Sequence, residues 1–249
     1  GEAVTNQSEI DGAANEYLEL IDTLVKHDFT VNVSLKPTQM GLNLSQDHCF
    51  RTVDEIIKSA TKHDGFVRFE MEESSTVSGT LAVFESLRQE HHDKVGCVLQ
   101  SMLFRTLDDA KQLLQTDPSN LNVRMVKGIY VEPPEIAHQE MSEINASYLE
   151  TTRLLLEGGA YVAAATHDPA IVEGLNKIVA DIPEAKERLE IQMLLGVQEE
   201  FRKQVLDSGH KVRVYIPYGE AWHKYVTRRL RRNPRLARLA FMGMFGKRE

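Results

Sequence analysis

Two hydrophobic rhythms alternate along the chain. Short runs dense in Val, Ile and Leu, such as residues 94–100 and 123–127, have the length and β-branched content of buried strands. Between them lie longer runs whose apolar residues recur every three or four positions, the spacing of one helix face. The pattern predicts, in order, helix 10–27, strand 30–36, helix 46–63, strand 65–72, helix 78–90, strand 94–100, helix 106–115 and strand 123–127. It continues with helix 134–157, strand 161–167, helix 169–179 with a second piece at 184–189, strand 190–195, helix 198–208, strand 211–218 and helix 221–232. Pro217 and Gly219 end the last strand, and Trp222, Tyr225, Val226 and Leu230 give the final helix its apolar spacing.

Seven strands, each followed by a helix, imply a parallel sheet covered by helices, an α/β fold. No Gly-x-Gly-x-x-Gly follows a strand, which disfavours a dinucleotide-binding doubly wound sheet. A (β/α)8 TIM-like barrel fits better and wants one more strand. The expectation is that this first strand lies upstream of residue 1, with closure of seven strands as the alternative. The chain reads as one domain, residues 1–249, with a C-terminal tail at 233–249.

Composition narrows the function. At 42% hydrophobic and with no apolar run near 18 residues, the chain can bury a core without spanning a membrane as a helix. A net charge of −8, spread along the sequence, argues against nucleic acid as a partner. The two cysteines, Cys49 and Cys97, suggest no disulfide framework. The histidines stand singly or as a surface pair, without metal-ligand spacing, so no metal is expected.

In parallel barrels, chemistry collects at the C-terminal strand ends. Those ends carry Lys36, Glu70 and Glu72, Gln100, Arg124 and Lys127, Thr166 and His167, Gln192 and Tyr215. Arg228 and Arg229 follow on the last predicted helix, one turn beyond Tyr225, as a clamp suited to a carboxylate. Cations outnumber anions in this set, so the ligand should carry anionic groups. The residues alone leave three readings open. They are redox chemistry on a bound cofactor, Schiff-base chemistry on Lys36 or Lys127, and a non-catalytic carboxylate-binding barrel.

Six segments in order resemble the proline dehydrogenase family in its single-function bacterial form. They are Ser34-Leu35-Lys36-Pro37-Thr38-Gln39, Leu99-Gln100-Ser101, the run from Val123 to Pro133, Ala165-Thr166-His167-Asp168, Gln192-Met193-Leu194-Leu195-Gly196, and Tyr215-Ile216-Pro217-Tyr218-Gly219 continuing through Tyr225 to Arg228-Arg229-Leu230. The resemblance implies a distorted (β/α)8 barrel that binds FAD. Such an enzyme oxidises L-proline to Δ1-pyrroline-5-carboxylate by hydride transfer to flavin N5 and passes the electrons to a quinone. It implies that Lys36, Arg228 and Arg229 hold the proline carboxylate and that Tyr130, Tyr215, Tyr225 and Met125 pack around the ring. It also implies that Arg124 and Gln100 bond the isoalloxazine, and that Val126, Lys127, Gly128, Thr166 and His167 line the rest of the FAD site. Glu2 would pair with Arg228 as a gate.

The sequence departs from the family pattern at five places: Glu70 for an Asp, Ile129 for a small residue, Met102 for an aromatic, Leu195 for a Tyr and Arg232 for a Glu. The resemblance places the enzyme in the cytoplasm and leaves its oligomeric state open. The apolar tail around Phe241, with basic flanks, either packs back on the barrel as a helix or makes a peripheral contact with the inner face of a membrane that supplies quinone.

Overall fold

The computed structural model describes residue 4 and residues 6–219. Glu2, Tyr225, Arg228, Arg229, Arg232 and the tail lie outside the described residues. Helix α1 spans Gln7–Lys26, and then seven strands alternate with helices: β1 Asn32–Leu35, α2 Gln46–Thr61, β2 Phe66–Phe69, α3 Val77–His91, β3 Val95–Gln100, α4 Thr106–Leu113, β4 Asn122–Val126, α5 Met141–Glu157, β5 Tyr161–Ala165, α6 Pro169–Asp181, β6 Leu189–Leu194, α7 Glu199–Asp207 and β7 Lys211–Tyr215. Side-chain caps mark where helices begin. Asn6 accepts from the Glu9 N–H, Ser45 from the His48 N–H and Asp168 from the Ala170 N–H, each satisfying a first-turn donor that has no partner inside its helix.

Every strand pairs in parallel with the next, in the order β1 to β7. Alternate strand residues face opposite ways. One set, including Leu35, Phe69, Cys97, Met125, Val162 and Ile191, packs outward into a single apolar core against the helices, so Met125 faces away from the mouth and does not pack around a substrate ring as the resemblance implied. Tyr148 on α5 is fully buried in that core, and its hydroxyl donates to the Met125 carbonyl at 3.0 Å. The other set faces inward and is strongly polar. Arg124 on β4 reaches Ser34 on β1, Glu70 just after β2 and Gln192 on β6. Strands that far apart in the sheet can share one side chain only if the sheet curls round it, so the molecule is a curled half-barrel. Among the described residues no pairing joins β7 to β1, so the seven strands do not close on themselves. The open margin is visible in exposure: β3 is buried throughout, whereas Val214 on β7 and Ile216 just after it are exposed.

One predicted element begins later than its pattern suggests. Residues 134–140 do not join α5. Their backbone instead pairs with the segment after β3: the Phe104 N–H donates to Ile136 O at 3.0 Å and the His138 N–H to Met102 O at 2.8 Å. Pro133 and Pro134 favour that extended course. Cys49 and Cys97 are both buried and unpaired, and burial pushes each thiol up to about 12, so neither is a ready nucleophile. Among the described residues, no helix is long and apolar enough to cross a membrane.

Candidate active site

The inward polar residues form two tiers. The lower tier, at the N-terminal end of the strands, is built on Arg68. Its guanidinium donates to Cys97 O at 3.1 Å, to Asn122 O at 2.9 Å and to Asn122 Oδ1 at 2.6 Å, and it stacks over Phe66. Burial pulls its pKa down to about 9. Gly96 makes this possible, because a Cβ there would stand 2.5 Å from Arg68 Nη1. Beside it, Glu190 accepts from Arg213 Nε at 2.9 Å and Nη2 at 3.1 Å, and from the Tyr161 hydroxyl at 3.0 Å. A cavity of about 210 Å³ opens at this end, lined by Arg68, Asn122, Tyr161, Glu190 and Arg213.

The upper tier lies at the C-terminal strand ends and is centred on Arg124, which is buried. Its Nε donates to Gln192 Oε1 at 2.6 Å, its Nη2 to Ser34 Oγ at 3.1 Å, and its Nη1 to the Glu70 carboxylate. The Tyr215 ring centre lies 5.3 Å from its Cζ, within cation–π range. The guanidinium is thus held in one plane by three acceptors from three strands. A guanidinium carries five N–H donors, so donors remain for a ligand.

Around this centre, each strand end is pinned by its neighbours. After β1, the Glu72 carboxylate accepts from both the backbone N–H and the hydroxyl of Thr38, each at 2.9 Å, which closes the turn that carries Lys36. Gln100 is buried and donates to the Glu72 carbonyl at 2.8 Å. Val126 and Lys127 run beside it, their carbonyls accepting from the Ser101 and Met102 N–H groups. Gly128 sits at φ +102°, and a Cβ there would stand 2.4 Å from Met102 Sδ. The glycine is therefore required by its backbone conformation and by Met102, a different reason from cofactor approach alone. Ile129 and Val131 beyond it are exposed at the mouth, and Tyr130 packs on a small apolar cluster that includes Met71 and Met102. Glu132 fastens this loop down, accepting from the Ser74 N–H at 2.8 Å and hydroxyl at 2.7 Å.

Just after β5, Thr166 is buried and its hydroxyl accepts from the Asp168 N–H at 3.0 Å. His167 Nε2 accepts the Leu194 N–H at 3.0 Å, which requires the ring proton on Nδ1. Lys127 pairs with Asp168. Partial burial pushes the Asp168 carboxyl up, but the Lys127 ammonium, the Ala170 N–H and the Asn145 amide act the other way and hold it below the usual carboxylate range. A carboxyl depressed in the folded state adds stability that is fully present above the unfolded value, about 4, and is lost as pH falls through the folded one. Asp168→Asn keeps a good helix cap and removes this charge. Urea titrations across pH should therefore show a less stable variant at pH 7 whose further loss in acid is shallower than the parent's.

The structure brings together Lys36, Glu70, Gln100, Arg124, Val126, Lys127, Gly128, Thr166, His167 and Tyr215 as strand-end residues of one mouth, with Tyr130 in the loop above. Glu70 turns its carboxylate to Arg124, so the longer side chain is absorbed in that ion pair. Ser34 joins the Arg124 network and was not singled out as a site residue from the sequence; nor was Glu190, which is linked to it through the strand-end Gln192. The polar alternation Glu190-Ile191-Gln192-Met193 in a strand with an apolar outer face is the signal that marks Glu190 and Gln192 as inward. The potential metal-ligating group among the described residues, Asp54, Glu90 and His91, lies on α2 and α3. There Asp54 already bonds Lys58 and His91.

The family described as Proline dehydrogenase matches residues 1–238. Proline dehydrogenase 2 of Bacillus subtilis (strain 168) is 32% identical over 247 residues, 99% of this chain and 80% of that protein. Proline dehydrogenase of Deinococcus radiodurans is 32% identical over 248 residues, 98% of this chain and 79% of that protein. Among solved structures, proline utilization A from Bdellovibrio bacteriovorus, inactivated by N-propargylglycine, superposes with a TM-score of 0.85 at 24% identity. The match covers 98% of this chain and 30% of that much longer one. At that identity the likeness speaks for the fold, a TIM-barrel-like α/β domain. With the match running through nearly every strand and strand end described above, the chain belongs to the proline dehydrogenase family.

Proposed function

We propose that this protein oxidises L-proline to Δ1-pyrroline-5-carboxylate with FAD as its cofactor and a quinone as the final electron acceptor. The observation that carries the reading is the buried Arg124, held in one plane at the barrel mouth by Glu70, Ser34 and Gln192, in a chain of this family. FAD fits these residues. A fixed guanidinium with donors to spare suits a ring system that gains negative charge on reduction. Gln100, Val126, Lys127, Thr166 and His167 form one wall on three consecutive strands, β3 to β5.

Bound FAD supplies a two-electron acceptor at N5, from which a quinone draws the electrons. The chain's own residues do the rest. Lys36, with Arg228 and Arg229, binds the carboxylate and so would present the ring's Cδ–H to the cofactor. Tyr130, Tyr215 and Tyr225 exclude water around the ring, which favours the neutral amine. The amine first gives up a proton to solvent. With FAD held by Arg124, Gln100 and the wall from Val126 to His167, the hydride from Cδ would pass to the cofactor while the nitrogen lone pair forms the C=N bond. The family resemblance assigns Glu2 the role of a gate that pairs with Arg228.

The test is an absorbance spectrum before and after L-proline is added without oxygen. A flavin band near about 450 nm that bleaches supports the reading. A band that persists rejects the substrate, and no band even after FAD is supplied rejects the cofactor. Borohydride trapping of a substrate imine on Lys36 or Lys127 would favour Schiff-base chemistry instead. Tyr215 stacks on Arg124 at the mouth; on the reading that it crowds the far side of the substrate ring, turnover should be faster on proline than on 4-hydroxyproline. Steady-state rates on the two substrates check this, and faster hydroxyproline oxidation would reject it.

A further inference from the structure

We propose that Glu190, in the lower tier of the barrel, is a positioning residue that steadies Arg124 by anchoring the NH2 end of the Gln192 amide; the inference rests on the reading of Arg124 as the flavin's guanidinium. Glu190 and Gln192 are two residues apart on β6, both buried and both inward. The Gln192 Nε2 donates to Glu190 Oε1 at 2.6 Å, and its Oε1 accepts from Arg124 Nε at 2.6 Å. The two ends of an amide have nearly the same shape and opposite hydrogen-bonding sense. A carboxylate only accepts and a guanidinium only donates, so Glu190 takes the NH2 end, Arg124 takes the oxygen, and the amide is held from both sides. Turned over, the amide would set donor against donor and acceptor against acceptor in a buried site, and both bonds would be lost.

Glu190 itself is kept as a carboxylate. Burial pushes its carboxyl up, but Arg213, Gln192 and the Tyr161 hydroxyl together hold it below the usual range. The order therefore runs from the lower tier upward. Arg213 and Tyr161 hold Glu190, Glu190 sets the amide, and the amide sets Nε. Because a guanidinium is planar, fixing Nε directs Nη1 to Glu70 and Nη2 to Ser34. Glu190 touches neither substrate nor cofactor in this scheme.

Three variants test it. Glu190→Gln keeps the shape but has one acceptor oxygen where the carboxylate has two, so Gln192 must compete with Arg213 and Tyr161 for it and its amide is held less firmly. It should bind FAD about tenfold more weakly, the scale of one charge-assisted hydrogen bond, and shift the flavin midpoint potential to more negative values. The exchange variant Glu190→Gln with Gln192→Glu puts the obligate acceptor beside Arg124, where it accepts from Nε and from the new amide. It should recover affinity and potential toward wild type although the ion pair with Arg213 stays broken. Arg213→Gln breaks that ion pair while leaving Tyr161 and Gln192 on the Glu190 carboxylate, and should weaken FAD binding less than Glu190→Gln does.

A Glu190→Gln protein with wild-type affinity and potential overturns the proposal. So does an exchange variant that folds but recovers nothing, or an Arg213→Gln variant that reproduces the Glu190→Gln defect. Both of these would mean that Glu190 acts only by holding β7. The Arg124 Nε–H signal in 15N-edited NMR needs no flavin and should be slow to exchange in wild type and lost in Glu190→Gln. If wild-type protein bound no FAD, the proposed function would fail, and this signal would still decide the role of Glu190.

Discussion

Replacing Arg124 with leucine should cost more than any other single change at the mouth, in stability and in cofactor binding together. The substitution removes a buried cation and strands the Glu70 carboxylate, the Gln192 carbonyl and the Ser34 hydroxyl on three different strands. Breaking a buried pair from one side costs about 3–5 kcal/mol, and the lower figure applies because Glu70 retains some contact with water. On the proposed function, the lost donor to the flavin should also reduce turnover by about 10²–10³-fold, the scale for one preorganised donor at a developing charge. Urea unfolding and kcat with excess FAD separate the two effects. Arg124→Lys keeps the charge but cannot serve three acceptors in one plane, so it should recover part of the stability and little of the rate. Full recovery by lysine would show that charge alone matters there and would remove the basis for an oriented guanidinium.

Gly128→Ala should come next. A side chain at φ +102° costs about 1–3 kcal/mol in backbone strain. The new Cβ would also sit 2.4 Å from Met102 Sδ, and displacing a buried neighbour costs about 1–3 kcal/mol. Only the second part depends on Met102. A double-mutant cycle with Met102→Ala should therefore show about 1–3 kcal/mol of coupling, with the strain part remaining in the double variant. A coupling near zero would mean that Met102 moves aside easily. The loop from Lys127 to Glu132 carries Tyr130 and is fastened at Ser74, so Gly128→Ala should also raise the KM for proline.

The half-barrel could be anticipated from β3 and β4, whose apolar runs Val95–Gln100 and Asn122–Val126 sit where the pattern placed strands. Strand boundaries were less legible. Glu70 to Glu72 read as a continuation of β2, but Glu72 leaves the strand to bond Thr38. The start of α5 was misread for a similar reason. Residues 134–140 have helical spacing but give their backbone to the segment after β3. Such pairings depend on which chain segments meet, and hydrophobic periodicity does not carry that.

The sequence by itself determined the period of the elements, the parallel order and the residues that crowd the strand ends, because these follow from local spacing and from the rule that strand ends face the mouth. It also determined the family, through motifs spread over nearly the whole chain. The tertiary structure alone decided how those residues are paired. Glu70 goes to Arg124, Lys127 to Asp168, and Gln192 joins Arg124 to Glu190. These partners lie 54, 41, 68 and 2 residues apart. Charge and residue type say which groups need partners when buried. Only the curl of the sheet says which partner arrives.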